Sequence, residues 1–100
     1  MSRVFNLLAD AGDISGTDVV SEWILWDGGP GDFAVWGDFG KGKMQLELTP
    51  DSGTTVICVT GSEIYDKGVV RFSLFHGFQI RARLSDTTSA SSGIHARIFT

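Results

Sequence analysis

Four stretches of this chain alternate apolar and polar residues with a period of two: Met44–Leu48, Val70–Leu74, Phe78–Ser85 and Ile94–Phe99. That spacing puts every apolar side chain on one face of an extended strand. No segment of helical length carries a 3.6-residue apolar period. Strands that are apolar on one face must bury that face against another sheet. The chain is therefore expected to be all-β. Thirteen glycines against two prolines punctuate the strands and supply tight turns.

The breaks set the strand count. Val4–Leu8 reads as a short strand or arm. Residues 9–20, with Asp10, Gly12, Asp13, Ser15, Gly16, Thr17 and Asp18, read as loop. Ser21–Trp26 is expected as the first long strand. Asp27-Gly28-Gly29-Pro30-Gly31-Asp32 is expected as a turn, because glycines beside a proline suit turn positions. Phe33–Phe39 follows as a strand, with Gly37 hinting at a bulge. Thr49-Pro50-Asp51-Ser52-Gly53-Thr54 closes a hairpin. Thr55–Thr60 is apolar on both faces and predicts a central strand covered on both sides. Ile64-Tyr65 is a candidate short strand. Seven to eight short antiparallel strands at regular spacing predict one small β-sandwich or jelly roll over residues 1–100, with 1–20 as an N-terminal arm or loop region.

Composition narrows the function classes. A chain of 100 residues holds a core but not a deep enclosed active site. The single cysteine, Cys58, excludes an intrachain disulfide. No apolar run reaches transmembrane length, and Met1–Leu8 lacks the long apolar stretch of a secretory signal. The net charge of −4 argues against nucleic-acid binding. Neither nucleic acid nor membrane is expected as a partner. Charge is unevenly spread: residues 1–40 carry one base and seven acids, residues 41–100 seven bases and five acids. This polarity suggests one copy's acidic part meeting another copy's basic part.

No chemistry-bearing constellation stands out. Asp10, Asp13 and Asp18 lack the alternate spacing and central glycine of a calcium loop, and read as turn and capping residues. His76 and His95 are the only histidines and lack further ligands at zinc spacing. Gly28–Gly31 lacks the Lys-Ser/Thr ending of a phosphate loop and precedes a strand. No nucleophile elbow is present. Catalytic residues, metals and cofactors are accordingly not expected.

Surface anchors are the better candidates. Trp23 and Trp26 lie three apart, so one regular strand would turn them to opposite faces. Trp36 is opposite in parity to Phe33 and Val35. An exposed tryptophan anchors interfaces or stacks on sugars. Arg71, Arg81, Arg83 and Arg97 share an outward parity and suggest a basic stripe on one sheet, with Phe99 beside it. Arg81→Ala is expected to spare folding and weaken assembly.

The run Asp27–Gly40, which contains Trp36-Gly37-Asp38-Phe39-Gly40, the hairpin Thr49–Thr55 and the strand Ile80-Arg81-Ala82-Arg83-Leu84-Ser85 together resemble small β-sandwich virion proteins of tailed bacteriophages. These include capsid decoration or cement proteins and head or tail accessory proteins. The resemblance spans about residues 26–98 and leaves 1–20 outside it. It implies a non-enzymatic structural subunit that stabilises a particle. It also implies self-association, with a trimer favoured, and contact with a larger capsid or tail protein. The subunit would be made in the host cytoplasm and located in the virion. Alternatives are a carbohydrate-binding or lectin-like module, suggested by Trp23, Trp26, Trp36 and Tyr65, and a small tail or fibre-attachment protein.

Overall fold

The computed structural model describes residues 3–100, so the first two residues of the expected arm lie outside it. Nine antiparallel strands form two sheets, with no helix among the described residues. They are β1 (Val4–Asp13), β2 (Val19–Val20), β3 (Ile24–Leu25), β4 (Gly29–Asp38), β5 (Lys43–Thr49), β6 (Ile57–Cys58), β7 (Gly68–Leu74), β8 (Gln79–Ser85) and β9 (Ser91–Phe99). One sheet has the order β1-β9-β4-β7. The other runs β2-β8-β5-β6, with β3 also paired to β8.

β2 and β3 are two halves of one bulged strand. Val19 faces Leu84 and Val20 faces Arg83, whereas Ile24 faces Ile80 and Leu25 faces Gln79. One extra residue is absorbed between the pairs. Ser21 bridges the irregularity: its N–H donates to the Ala82 carbonyl, and its Oγ accepts from the Ala82 N–H. The expected continuous strand Ser21–Trp26 is thus broken. With β2/β3 counted once, first pairs with last, second with second-last, and so inward. That is a long hairpin rolled into two four-stranded sheets, the jelly-roll order.

The alternation puts the core between the sheets. Ile80, Ala82 and Leu84 of β8, Ile94, Ala96 and Ile98 of β9, and Met44 and Leu46 of β5 are fully buried. Phe33 and Val35 of β4 and Phe72 of β7 complete the inner layer.

Three local readings are corrected. Residues 9–13 continue β1 as an edge strand along β9, kept irregular by three register shifts and by Asp10 at φ 49°. The Gly-rich run is mostly strand: Gly29, Pro30, Gly31 and Asp32 face Leu74, Ser73, Phe72 and Arg71. Proline is tolerated because β9 ends opposite Asp32, leaving β4 only one neighbour at Pro30. Gly31 is there for space. A Cβ would lie 2.9 Å from Phe72, 3.0 Å from Trp26 and 3.1 Å from Ile98, so its absence lets Trp26 close the end of the core. Finally, Thr55–Thr60 is not central. Only Ile57 and Cys58 pair with β5, at a sheet edge where Val56 and Ile57 stay exposed. An apolar run does not reveal which of its faces another layer will cover.

Candidate interaction surface

The four arginines fall on two opposite faces, so they make no single basic stripe. Arg81 and Arg83 stand on the outer face of the β8 sheet, Arg71 and Arg97 on the outer face of the β9 sheet. Parity within a strand cannot say to which sheet the strand belongs.

The charges of the β8 face are paired among its own side chains. Glu47 is buried beneath Arg81, whose Nε donates to Glu47 Oε1 at 2.8 Å, and Arg83 Nη1 lies 3.9 Å from Oε2. Arg83 also donates to Asp18 at 2.7 Å, and that hydrogen bond holds its pKa above the ordinary value. Trp23 sits here, its ring 4.3 Å from the Arg81 guanidinium carbon. Trp26 belongs to the core instead, packing on Phe72 at 5.0 Å and Phe5 at 5.9 Å.

This geometry changes the expectation for Arg81. Its removal leaves the Glu47 carboxylate buried with only a distant cation. Arg81→Ala is expected to lower stability by about 2–3 kcal/mol, because an uncompensated buried charge costs more than the pair gains. Urea unfolding followed by tryptophan fluorescence measures this, with Arg71→Ala on the opposite face expected to lie within about 0.5 kcal/mol of the parent.

The outer face of the β9 sheet is open. Trp36 of β4 lies directly across from His95 of β9, and their rings stack at 5.1 Å with 11° between planes. Arg97, two residues along β9, places its guanidinium carbon 5.4 Å from the Trp36 ring. Phe99 continues the row, opposite Val4 on one side and Asp32 on the other. Val69 of β7 flanks Ala34. Val4, Trp36, Val69 and Phe99 all remain exposed, which makes this face an apolar and aromatic patch rather than a solvated one.

Its charges are unequally paired. Arg71 holds Asp32 through two hydrogen bonds of 2.9 and 3.0 Å, and this contact lowers the Asp32 pKa below the usual carboxylate range. Arg3 pairs with Asp27. Among the described residues, Arg97 is the one arginine with no carboxylate within 4.0 Å. Its Nε and His95 Nδ1 are shielded from solvent without a hydrogen-bond partner. Unsatisfied shielded nitrogens are uncommon in folded proteins. The acids of the N-terminal part meet the C-terminal arginines inside one chain, as Asp18–Arg83 and Asp32–Arg71. The charge polarity is thereby largely internal and does not require a second copy.

A cleft of about 610 Å³ opens at one end of the sandwich, lined chiefly by Leu48, Leu74, Phe75 and Phe78, with Asp27 and His76 at its rim. Asp27 is occupied by Arg3, and the one serine in the lining, Ser73, has no hydrogen bond to His76. Sequence reasoning passed over Phe75, which reads as part of the break after a strand, and Val69, which precedes the alternating run Val70–Leu74. Only the sheet order exposes them. Among the described residues no three His, Cys, Asp or Glu side chains converge into a metal-binding set. No family model, curated protein or solved structure matches the chain.

Proposed function

We propose that the chain is a non-enzymatic assembly subunit that docks on a larger protein through the outer face of the β9 sheet. Its setting is the virion that the resemblance implies, as a capsid decoration or cement subunit. The observation that carries this reading is the row Trp36, His95, Arg97 and Phe99, in which an unpaired guanidinium lies between exposed aromatic rings. Buried aromatic and arginine anchors dominate the energetics of protein interfaces. The row calls for a partner surface that is apolar and offers one carboxylate to Arg97. A jelly roll alone does not decide the matter, since capsid and lectin domains both use it.

A sugar-binding module draws less support. Sugar stacking wants a bare ring face. Trp26 is in the core, Trp23 lies against Arg81, and one face of Trp36 is taken by His95, which leaves Tyr65 as the one exposed ring of the four without such a neighbour. A tail or fibre-attachment role would use the same face, and differs only in the partner.

Co-sedimentation with the particles of the virus that encodes the chain tests the proposal. Trp36→Ala and Arg97→Glu are each expected to weaken binding about tenfold or more, as for interface anchors. Arg83→Ala, on the opposite face, is expected to bind as the parent. Binding that survives both anchor substitutions, or no binding by the parent chain, overturns it.

A further inference from the structure

Sheet edges invite pairing unless they are short, bent, charged or covered. Three of the edges here are protected. β1 has three register shifts and Asp10 in the left-handed region. β6 has two residues, and so do β2 and β3. β7 is different. It is seven residues long and matches β4 from Gly68 to Leu74 without a shift. It contains no proline, and its one charge, Arg71, is held by Asp32. Among the described residues its sheet neighbour is β4 alone, which leaves a regular row of backbone N–H and C=O groups unpaired on the other side.

The side chains along this edge are self-complementary about Phe72. With a two-fold axis there, antiparallel pairing carried one residue past the end of β7 sets Val69 opposite the second copy's Phe75. Val70 then faces Leu74, and Arg71 faces Ser73 rather than another arginine. Val69 and Phe75 are 65% and 83% exposed, among the most exposed large apolar residues in the chain. The pairing brings each onto the other twice, and the matched residues of β7 stay on their own face of the sheet because the period is two.

We infer that β7 is a homodimer edge: a second copy pairs with it antiparallel, centred on Phe72, and joins the two four-stranded sheets into one of eight strands. A two-fold contact of this kind closes, since the same patch serves both copies. A ring of three built by strand pairing would need a second, matching edge, and the broken β1 does not offer one. The dimer carries both Trp36 rows on one continuous face. It stands independently of what that face binds, because it needs no larger partner.

Sedimentation equilibrium of the purified chain over a range of concentrations is the test. The expected result is a monomer–dimer equilibrium with a limiting mass of twice 10.8 kDa. Val69→Lys and Phe75→Asp are each expected to weaken self-association about tenfold or more, since each places a charge against an apolar partner. Both positions are exposed, so folding is retained, as circular dichroism will report. Mixing the two variants in equal amounts is expected to restore dimer, because the new lysine of one copy then faces the new aspartate of the other across the axis. Hydrogen exchange is expected to slow in β7 amides as dimer forms. A monomer at every concentration, a trimer, or a dimer indifferent to both variants overturns the inference. Two monomeric variants that fail to recover on mixing overturn the register. Loss of particle binding by a chain that still dimerises would overturn the docking reading alone.

Discussion

Ile80→Asp is expected to leave the chain unfolded in water at 25 °C. Ile80 is fully buried at the middle of the inner layer, in the strand that pairs with β2, β3 and β5. Removing an isoleucine from a packed core costs about 2–5 kcal/mol. A carboxylate with no partner there adds several more, whether it stays charged or takes up a proton. Domains of this size have roughly 5–15 kcal/mol in total. Circular dichroism is expected to lose its β signal, and the urea transition to vanish. Ile80→Val, which keeps the shape and removes one methyl, is expected to cost about 1 kcal/mol with a full transition. An Asp variant as stable as the Val variant would mean that this strand does not face the core.

Gly37→Ala is expected to cost about 3–4 kcal/mol although it adds a single methyl group. Gly37 has φ 127°, a region that residues with a Cβ avoid. An added Cβ would lie 2.4 Å from the Gly93 carbonyl oxygen and 2.7 Å from the Ile94 Cα. Both are backbone atoms of β9, and the Ile94 side chain is fully buried. Neither can retreat without moving the core. Gly61→Ala separates strain from crowding. Gly61 also has positive φ, at 83°, but nothing lies within 4 Å of its missing Cβ. It is expected to cost about 1 kcal/mol, the conformational part alone. Equal costs at the two positions in urea unfolding would mean that β9 yields at this contact.

The fold was legible in the residues because the alternation in β5, β8 and β9 carries a physical instruction. Met44, Leu46, Ile80, Ala82, Leu84, Ile94, Ala96 and Ile98 can hide together only between two sheets. Gly37 likewise signalled the irregularity now seen as a register shift between Trp36 and Asp38. What could not be read is anything that depends on strand order. Arg71 and Arg81 look alike in their strands, yet they stand on opposite faces of the molecule. Glu47 looks like a solvated residue of a half-buried strand, yet Arg81 covers it. Ile57 looks like core, yet it lies on an edge. Each of these is decided by which strand is the neighbour, a long-range property that local periodicity does not encode. The Gly-rich run misled for another reason. Gly28 and Gly29 do take the positive φ of a turn, but Gly31 serves the bulk of Trp26, and a glycine in a sequence does not say which of the two it serves. The candidate face was partly legible, since Trp36, Arg97 and Phe99 each drew attention, but their common sheet was not.

One consequence follows from the position of β9. It is the last of the nine strands of this domain in sequence order, and it lies between β1 and β4 in its sheet. Leaving the ribosome, β1 emerges first and has no partner until residues 91–99 arrive, and one side of β4 waits equally long. The backbone edges of β1 and β4 that β9 will fill stay open until then. This sheet is therefore completed only after synthesis of the domain has finished, in a single late step, and a chain stalled before Ser91 holds a half-built sandwich whose sticky surfaces attract chaperones or neighbouring nascent chains.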